Sequence, residues 1–199
     1  MKTKKQSVVT KKGDKGYTFS YAGIKMSKDD LRLETVGTMD ELSSFLGMAK
    51  NLVEDTKGKK ILEKIQNDLF IAGSRVFQAG SRNPEKKALF QPIAFLENEI
   101  KNIEKQFTVK GFVLPGDSLV SSVLHVARTV ARRLERRVLT LKRKKKLKDD
   151  NIIVYLNRLS DLIFLLACLY VSEGFHNQGG GKNEKKGGKD SWKNWTERQ

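Results

Sequence analysis

FVLPGDSLVSSVLHVARTVARRLERRVLTL, running from Phe112 to Leu141, carries the plainest helical repeat in the chain. Pro115 and Gly116 stop whatever precedes them, and Asp117 or Ser118 can accept a hydrogen bond from the first free amides of a following helix. Val123, Ala127, Val130, Leu134, Val138 and Leu141 then recur three or four residues apart, which makes one buried stripe. Beside it runs a second row of His125, Arg128, Arg132, Glu135 and Arg136. Guanidinium groups aligned along one helix edge repel one another unless an anion lies between them. A carboxylate, a polyphosphate or a nucleic-acid backbone would serve.

The same periodicity extends in both directions. After the basic run KRKKKLKDD (Lys142 to Asp150), a helix is predicted from about Asp150 to Glu173. Its core stripe is Leu156, Leu159, Ile163, Leu166 and Tyr170, with Asn157 and Asp161 sharing a neighbouring edge. Towards the N-terminus, a helix beginning near Pro92 carries Ile93, Leu96, Ile100, Ile103 and Phe107. A break at Gly80 to Pro84 separates it from a helix over about Lys59 to Ala79, with Ile61, Leu62, Ile65, Leu69, Ala72 and Val76 inward. Thr38 with Glu41 three residues on reads as a capping box, so a further helix is expected to start there and to bury Leu42, Phe45, Leu46, Ala49, Leu52 and Val53. Asp40 would then lie in a first turn, where the helix dipole favours a carboxylate. Five amphipathic helices without strand alternation predict an all-α five-helix bundle.

Ahead of the helices lies VTKKGDKGYT, Val9 to Thr18. Gly13 and Gly16 let backbone approach an anion, while Thr10, Thr18 and the lysines supply donors and charge. The spacing fits neither the Walker loop nor the dinucleotide fingerprint. The chain has 199 residues, enough for one domain with a substantial core. Residues 1–175 are expected to be that domain and 176–199 a disordered low-complexity basic tail, in which Trp192 and Trp195 are the only aromatic residues interleaved with basic ones. Cys168 is the single cysteine, which excludes an intrachain disulfide; a buried thiol is its default state. With only His125 and His176 beside it, no ordinary zinc site can be assembled. No apolar run is expected to approach transmembrane length and no signal core precedes the body, which predicts a cytoplasmic protein.

The net charge of +16 sits mainly at the edges. Residues 1–16 hold six lysines against Asp14, the 142–150 run holds six basic residues against two acidic ones, and the segment from His176 holds six against three. Little excess remains for the body. Lysines at a helix C-terminus complement its dipole, and no nucleic-acid motif accompanies the charge.

In order, TKKGDKGYT, SKDDLR, GTMDELSSFLG, FVLPG, LHVARTVARRLERR and YLNRLSD resemble the PduO-type ATP:cob(I)alamin adenosyltransferases, in one register from Val9 to Tyr170. The resemblance implies a homotrimer of five-helix bundles with an active site at each subunit interface. Its substrates would be ATP, carrying Mg2+ on the triphosphate, and cob(I)alamin. A flexible N-terminal arm would wrap ATP through Thr10, Lys11, Lys12, Gly13, Thr18 and Phe19, with Lys28 as a further nucleotide contact. Arg132, Arg133, Glu135 and Arg136 would complete the nucleotide site from the neighbouring subunit, together with Asn157. Asp40 and Arg128 match a salt-bridged pair across the interface, and Phe112 matches a phenylalanine on the lower face of the corrin.

The chemistry implied is attack of cob(I)alamin on the 5′-carbon of ATP, with inorganic triphosphate leaving and adenosylcobalamin formed. No general base is required, since the cobalt carries no proton, so Phe112 and Arg132 are the expected catalytic residues through geometry and charge. A reductase and an adenosylcobalamin-dependent enzyme are the partners implied, with no membrane and no specific nucleic acid. The chain departs from the commoner pattern at Ser43, at Asp117 and over Ser20 to Met26. Two other classes fit parts of the sequence. A cobalamin carrier on the same scaffold need not keep the triphosphate residues, and a basic nucleic-acid-binding bundle rests on net charge alone.

Overall fold

The computed structural model describes residues 9, 11, 13–19, 25–79, 90–106, 108–109, 113–144, 147 and 149–171. Thr10, Lys12, Phe107, Phe112, the 80–84 break and the tail beyond residue 171, with His176 and both tryptophans, lie outside the described residues. A short antiparallel hairpin comes first: β1 (Tyr17–Phe19) pairs with β2 (Lys25–Ser27), Thr18 opposite Met26. Five helices follow: α1 (Leu31–Leu52), α2 (Thr56–Phe77), α3 (Phe90–Glu104), α4 (Leu119–Arg143) and α5 (Asn151–Leu169).

The centre of the bundle is α4, packed on α1 along one side and α5 along the other; α2 covers α1 and α3 covers α5. This follows from the stripes. Val123, Ala127, Val130, Leu134, Val138 and Leu141 are all buried. So are Leu156, Leu159, Ile163 and Leu166 of α5, and the six apolar positions expected on α2. Ser118 is the N-cap of α4, its hydroxyl accepting from the Ser121 amide at 3.0 Å.

Three expectations need correction. The first helix begins a full two turns before Thr38, at Leu31, because Asp30 supplies a stronger start: its carboxylate accepts from the Arg32 amide and guanidinium, each at 2.9 Å. Thr38 is buried in mid-helix and turns its hydroxyl back onto the Glu34 carbonyl at 2.9 Å. Asp40 is therefore exposed on the helix surface and caps nothing. Next, residues 17–19 and 25–27 form a two-stranded ribbon, too short for alternation to reveal. Finally, α5 is long and apolar enough by composition to cross a membrane, since Arg158 and Asp161 are its only charges. More than half of that span is buried inside the bundle, where α3 and α4 flank it, so it is apolar as a core helix.

Candidate functional site

Just ahead of β1 lies a tight turn in which the Gly16 amide donates to the Gly13 carbonyl at 3.2 Å. Gly16 has φ of +77°, which a side chain would strain. The Lys28 amide reaches back to the Gly16 carbonyl at 2.9 Å, and its side chain lies over Gly13, where an added Cβ would come within 2.8 Å of Nζ. The fold thus brings Gly13 and Lys28, fifteen positions apart, into one cationic cradle next to Lys11. Thr18 is half-buried and Phe19 exposed in β1. Arg32 ties the ribbon's exit to the bundle by donating to the Ala79 carbonyl at 3.2 Å while paired to Asp30.

On α4 the arginine row splits by partner. Arg133 pairs with Glu41 and Arg137 with Glu34, both across to α1. Arg132 and Arg136 are exposed, and no salt bridge engages either among the described residues. Glu135 is half-buried between them in sequence. Arg128, a turn earlier, lies over the Phe164 ring at 5.7 Å, with its Nε buried and unbonded. Within one chain it forms no ion pair with Asp40 among the described residues. His125, expected on the polar row, is instead buried, its ring edge-on to Phe164 at 6.2 Å. Burial, helped by the Arg128 charge, holds its pKa below the ordinary histidine value against the opposing pull of Asp117.

On α5, Asn157 accepts from Arg158 Nη1 at 3.0 Å, and Arg158 Nε donates to Glu97 of α3 at 3.1 Å. Burial pushes the Asp161 carboxyl above its usual range, and Arg158 and Arg132 pull it partway back. Arg132 is thus electrically coupled to the edge that Asn157 and Asp161 share. Below that edge opens a groove of about 820 Å³ between α3 and α5. Ile100, Val109, Phe164 and Leu165 line its apolar part; Glu97, Lys101, Glu104, Arg158 and Asp161 form the charged part. Its size suits a large organic ligand. Among the described residues no three His, Cys, Asp or Glu side chains converge on a possible metal position.

The structure therefore assembles two half-sites from the sequence candidates: the cradle of Lys11, Gly13 and Lys28, and the edge of Arg132, Arg136, Asn157 and Asp161. Among the described residues no hydrogen bond or salt bridge joins the two, and the ribbon's extensive packing is with itself. Sequence reasoning missed Arg158, Glu97 and Phe164. The first two belong to different helices and no spacing links them. Phe164 is one more apolar residue in an apolar helix.

Residues 8–170 match the family model for cobalamin adenosyltransferase. The chain is 41% identical over 169 residues to corrinoid adenosyltransferase MMAB of Bos taurus, covering 80% of this chain and 69% of that one. It is 37% identical to the corrinoid adenosyltransferase of Citrobacter freundii, covering 80% and 92%. Among solved structures, an F-to-A variant of the PduO-type ATP:corrinoid adenosyltransferase from Lactobacillus reuteri, complexed with cobalamin and ATP, superposes with a TM-score of 0.75. It shares 35% identity, over 81% of this chain and 91% of that one.

Proposed function

This chain belongs to the cobalamin adenosyltransferase family, and we propose that it transfers the 5′-deoxyadenosyl group of ATP to the cobalt of cob(I)alamin, releasing inorganic triphosphate. The observation that carries the reading is the adjacency of the unpaired Arg132 edge to the large α3–α5 groove. One feature suits a polyphosphate and the other a broad, mostly apolar ring system, and the reaction needs both within reach.

In the proposed arrangement Arg132 and Arg136 hold the triphosphate, with Asn157 and Glu135 setting the nucleotide's position. Charge building on the leaving oxygen meets guanidinium groups already in place, which is the main rate-enhancing device available to a protein without a general base. Mg2+ travels with the triphosphate as part of the substrate. The corrinoid occupies the groove against Phe164 and Val109. Thr108 and Val109 lead in three residues to Phe112, assigned to the corrin's lower face, where it would exclude an axial ligand and ease reduction of cobalt(II).

The arm residues Thr10, Lys11, Lys12, Gly13, Thr18 and Phe19, with Lys28, close over the nucleotide of a neighbouring copy in a homotrimer. The separation of the two half-sites within one chain supports that assignment, as do the unbonded Arg128 Nε and the exposed Asp40, which pair across the interface. Arg133, engaged with Glu41, braces α4 against α1 beside the site. The catalytic domain spans residues 1–175 and acts in the cytoplasm, supplied with electrons by a reductase and delivering product to an adenosylcobalamin-dependent enzyme.

The deciding experiment is an anaerobic assay with chemically reduced cobalamin and Mg-ATP, following absorbance and triphosphate together. Adenosylcobalamin formed in step with triphosphate is expected. Tight binding of both substrates without turnover would make the protein a carrier, and binding of neither would overturn the reading.

A further inference from the structure

Where α5 ends, three helices and one long connection meet at a single residue, Tyr170. The Tyr170 hydroxyl donates to Asp55 Oδ2 at 2.5 Å, and the other oxygen of that carboxylate accepts from the Gly58 amide at 2.6 Å as the cap of α2. The Tyr170 carbonyl accepts from the Ser118 hydroxyl at 2.5 Å, and that same hydroxyl caps α4. A hydroxyl can donate once and accept as well, so both roles of Ser118 are compatible. Asp55 is anionic, which makes the phenol bond the stronger kind. Burial and the Asp55 charge both raise the phenol's pKa, keeping it a donor over the working range.

The geometry places this clamp at the base of the connection between α3 and α4. Gln106, at its start, lines a small cavity of about 240 Å³ together with Tyr170, Asp55 and Gly58. Thr108 and Val109 then line the large groove. Ser118, at its end, is the residue bonded to the Tyr170 carbonyl. The end of the connection is therefore bonded at the clamp and its start lies beside the same cavity, while Thr108 and Val109 form part of the groove wall. Gly58 is what admits the phenol: a Cβ there would overlap the Tyr170 hydroxyl and crowd Asp55.

We propose that Tyr170, clamped between Asp55 and Ser118, is a positioning residue that presets the Thr108 and Val109 part of the groove wall for the corrinoid and leaves the nucleotide site alone. This rests on the groove being the corrinoid site. Wall residues Thr108 and Val109 that are in place before binding spare the ligand the cost of fixing them, so losing the clamp weakens corrinoid affinity in particular.

The test is steady-state kinetics of the full chain with cobalamin and ATP varied in turn, beside equilibrium binding of cob(II)alamin. Tyr170→Phe is expected to raise the corrinoid KM and Kd about tenfold, equivalent to about 1.4 kcal/mol, while the ATP KM moves less than about twofold. Ser118→Ala should do the same and Ser118→Thr should restore the wild-type value. Gly58→Ala separates positioning from stability: alanine favours the helix by up to about 1 kcal/mol, yet it displaces the phenol, so corrinoid affinity should fall without a matching fall in melting temperature. Ile65→Val, a buried α2 change remote from the clamp, should lower the melting temperature and leave both KM values in place. An unchanged corrinoid Kd in folded Tyr170→Phe, or corrinoid and ATP constants rising together, would overturn the proposal. Wild type that binds cob(II)alamin without turnover would overturn the proposed reaction, and the clamp would still be judged by the Kd comparison. Wild type that binds no corrinoid would overturn both.

Discussion

At the scale of single residues, the α4 row is a sorting of arginines by what already neutralises them. Arg133 and Arg137 are engaged with Glu41 and Glu34, whereas Arg132 is exposed and coupled to Asp161. Arg132→Lys keeps the charge and discards the planar fork, so it tests whether geometry or charge matters. It is expected to lower kcat/KM by about a hundredfold, the order seen on removing one preorganised donor. The melting temperature should be unaffected, because exposed side chains contribute little to folding. Retention of wild-type kinetics would remove Arg132 from the triphosphate site. His125 gives a pH prediction. Its folded pKa lies below the unfolded value, by burial and then by the neighbouring Arg128, so between the two the unfolded chain binds the extra proton. Stability is therefore full above the ordinary histidine pKa of about 6.5 and falls as pH drops through the window beneath it. Thermal melts from pH 7.5 to 5.5 should show that slope in wild type and a shallower one in His125→Phe. Identical slopes would assign it to other groups. Neither the burial of His125 nor the pairing of Arg133 was legible in spacing, which gives a residue's angle round a helix but not how deep the neighbouring helix lies.

At the scale of elements, the helical stripes were readable because burial on one side imposes its period on many residues at once. The stripes of α2, α4 and α5 agree with the structure almost position for position, and only Tyr170, which caps α5 just past its end, is half-buried. The start of α1 was misread because Thr38 and Glu41 satisfy a capping pattern that mid-helix residues can also satisfy. The decision lay instead with Asp30, whose carboxylate serves both the Arg32 amide and its guanidinium. Removing that cap should cost about 1 kcal/mol, with somewhat more from freeing Arg32. Asp30→Ala is thus expected to lower the urea midpoint, while Asp40→Ala, on the exposed surface of the same helix, leaves the isolated subunit's stability in place. Equal losses would restore the later helix start. The hairpin escaped notice for a different reason: two strands of three residues each hold too few alternations to outweigh chance. The tight turn ahead of β1 was still legible, because Gly16 needs a positive φ that the paired glycines announce. The groove was not legible at all, since it is made by the spacing between α3 and α5, two elements separated in sequence by the whole of α4.

At the scale of the whole molecule, the question is why one chain should fold two half-sites that do not meet. A ring of identical subunits joined head to tail solves this, because each interface offers the front of one copy to the back of the next. The arm's cradle at Gly13 and Lys28 would then close over Arg132 of a neighbour, and every subunit would contribute to two sites. This has a consequence that no single-chain site shares. A Lys11→Ala/Lys28→Ala chain loses the arm half, and Arg132→Ala loses the helix half, so each should be inactive as a pure homotrimer. Co-expressed with different affinity tags and purified through both, they form mixed rings in which an intact arm faces an intact Arg132 at some interfaces. Every ring that carries both tags holds one complete interface of its three, so activity should return to about a third of wild type. A site contained within one chain predicts no recovery, because every chain in the mixture carries a damaged site. Recovery well above about a third would instead mean that one variant was never inactive, which the two pure preparations reveal directly. The experiment reads subunit arrangement from turnover alone.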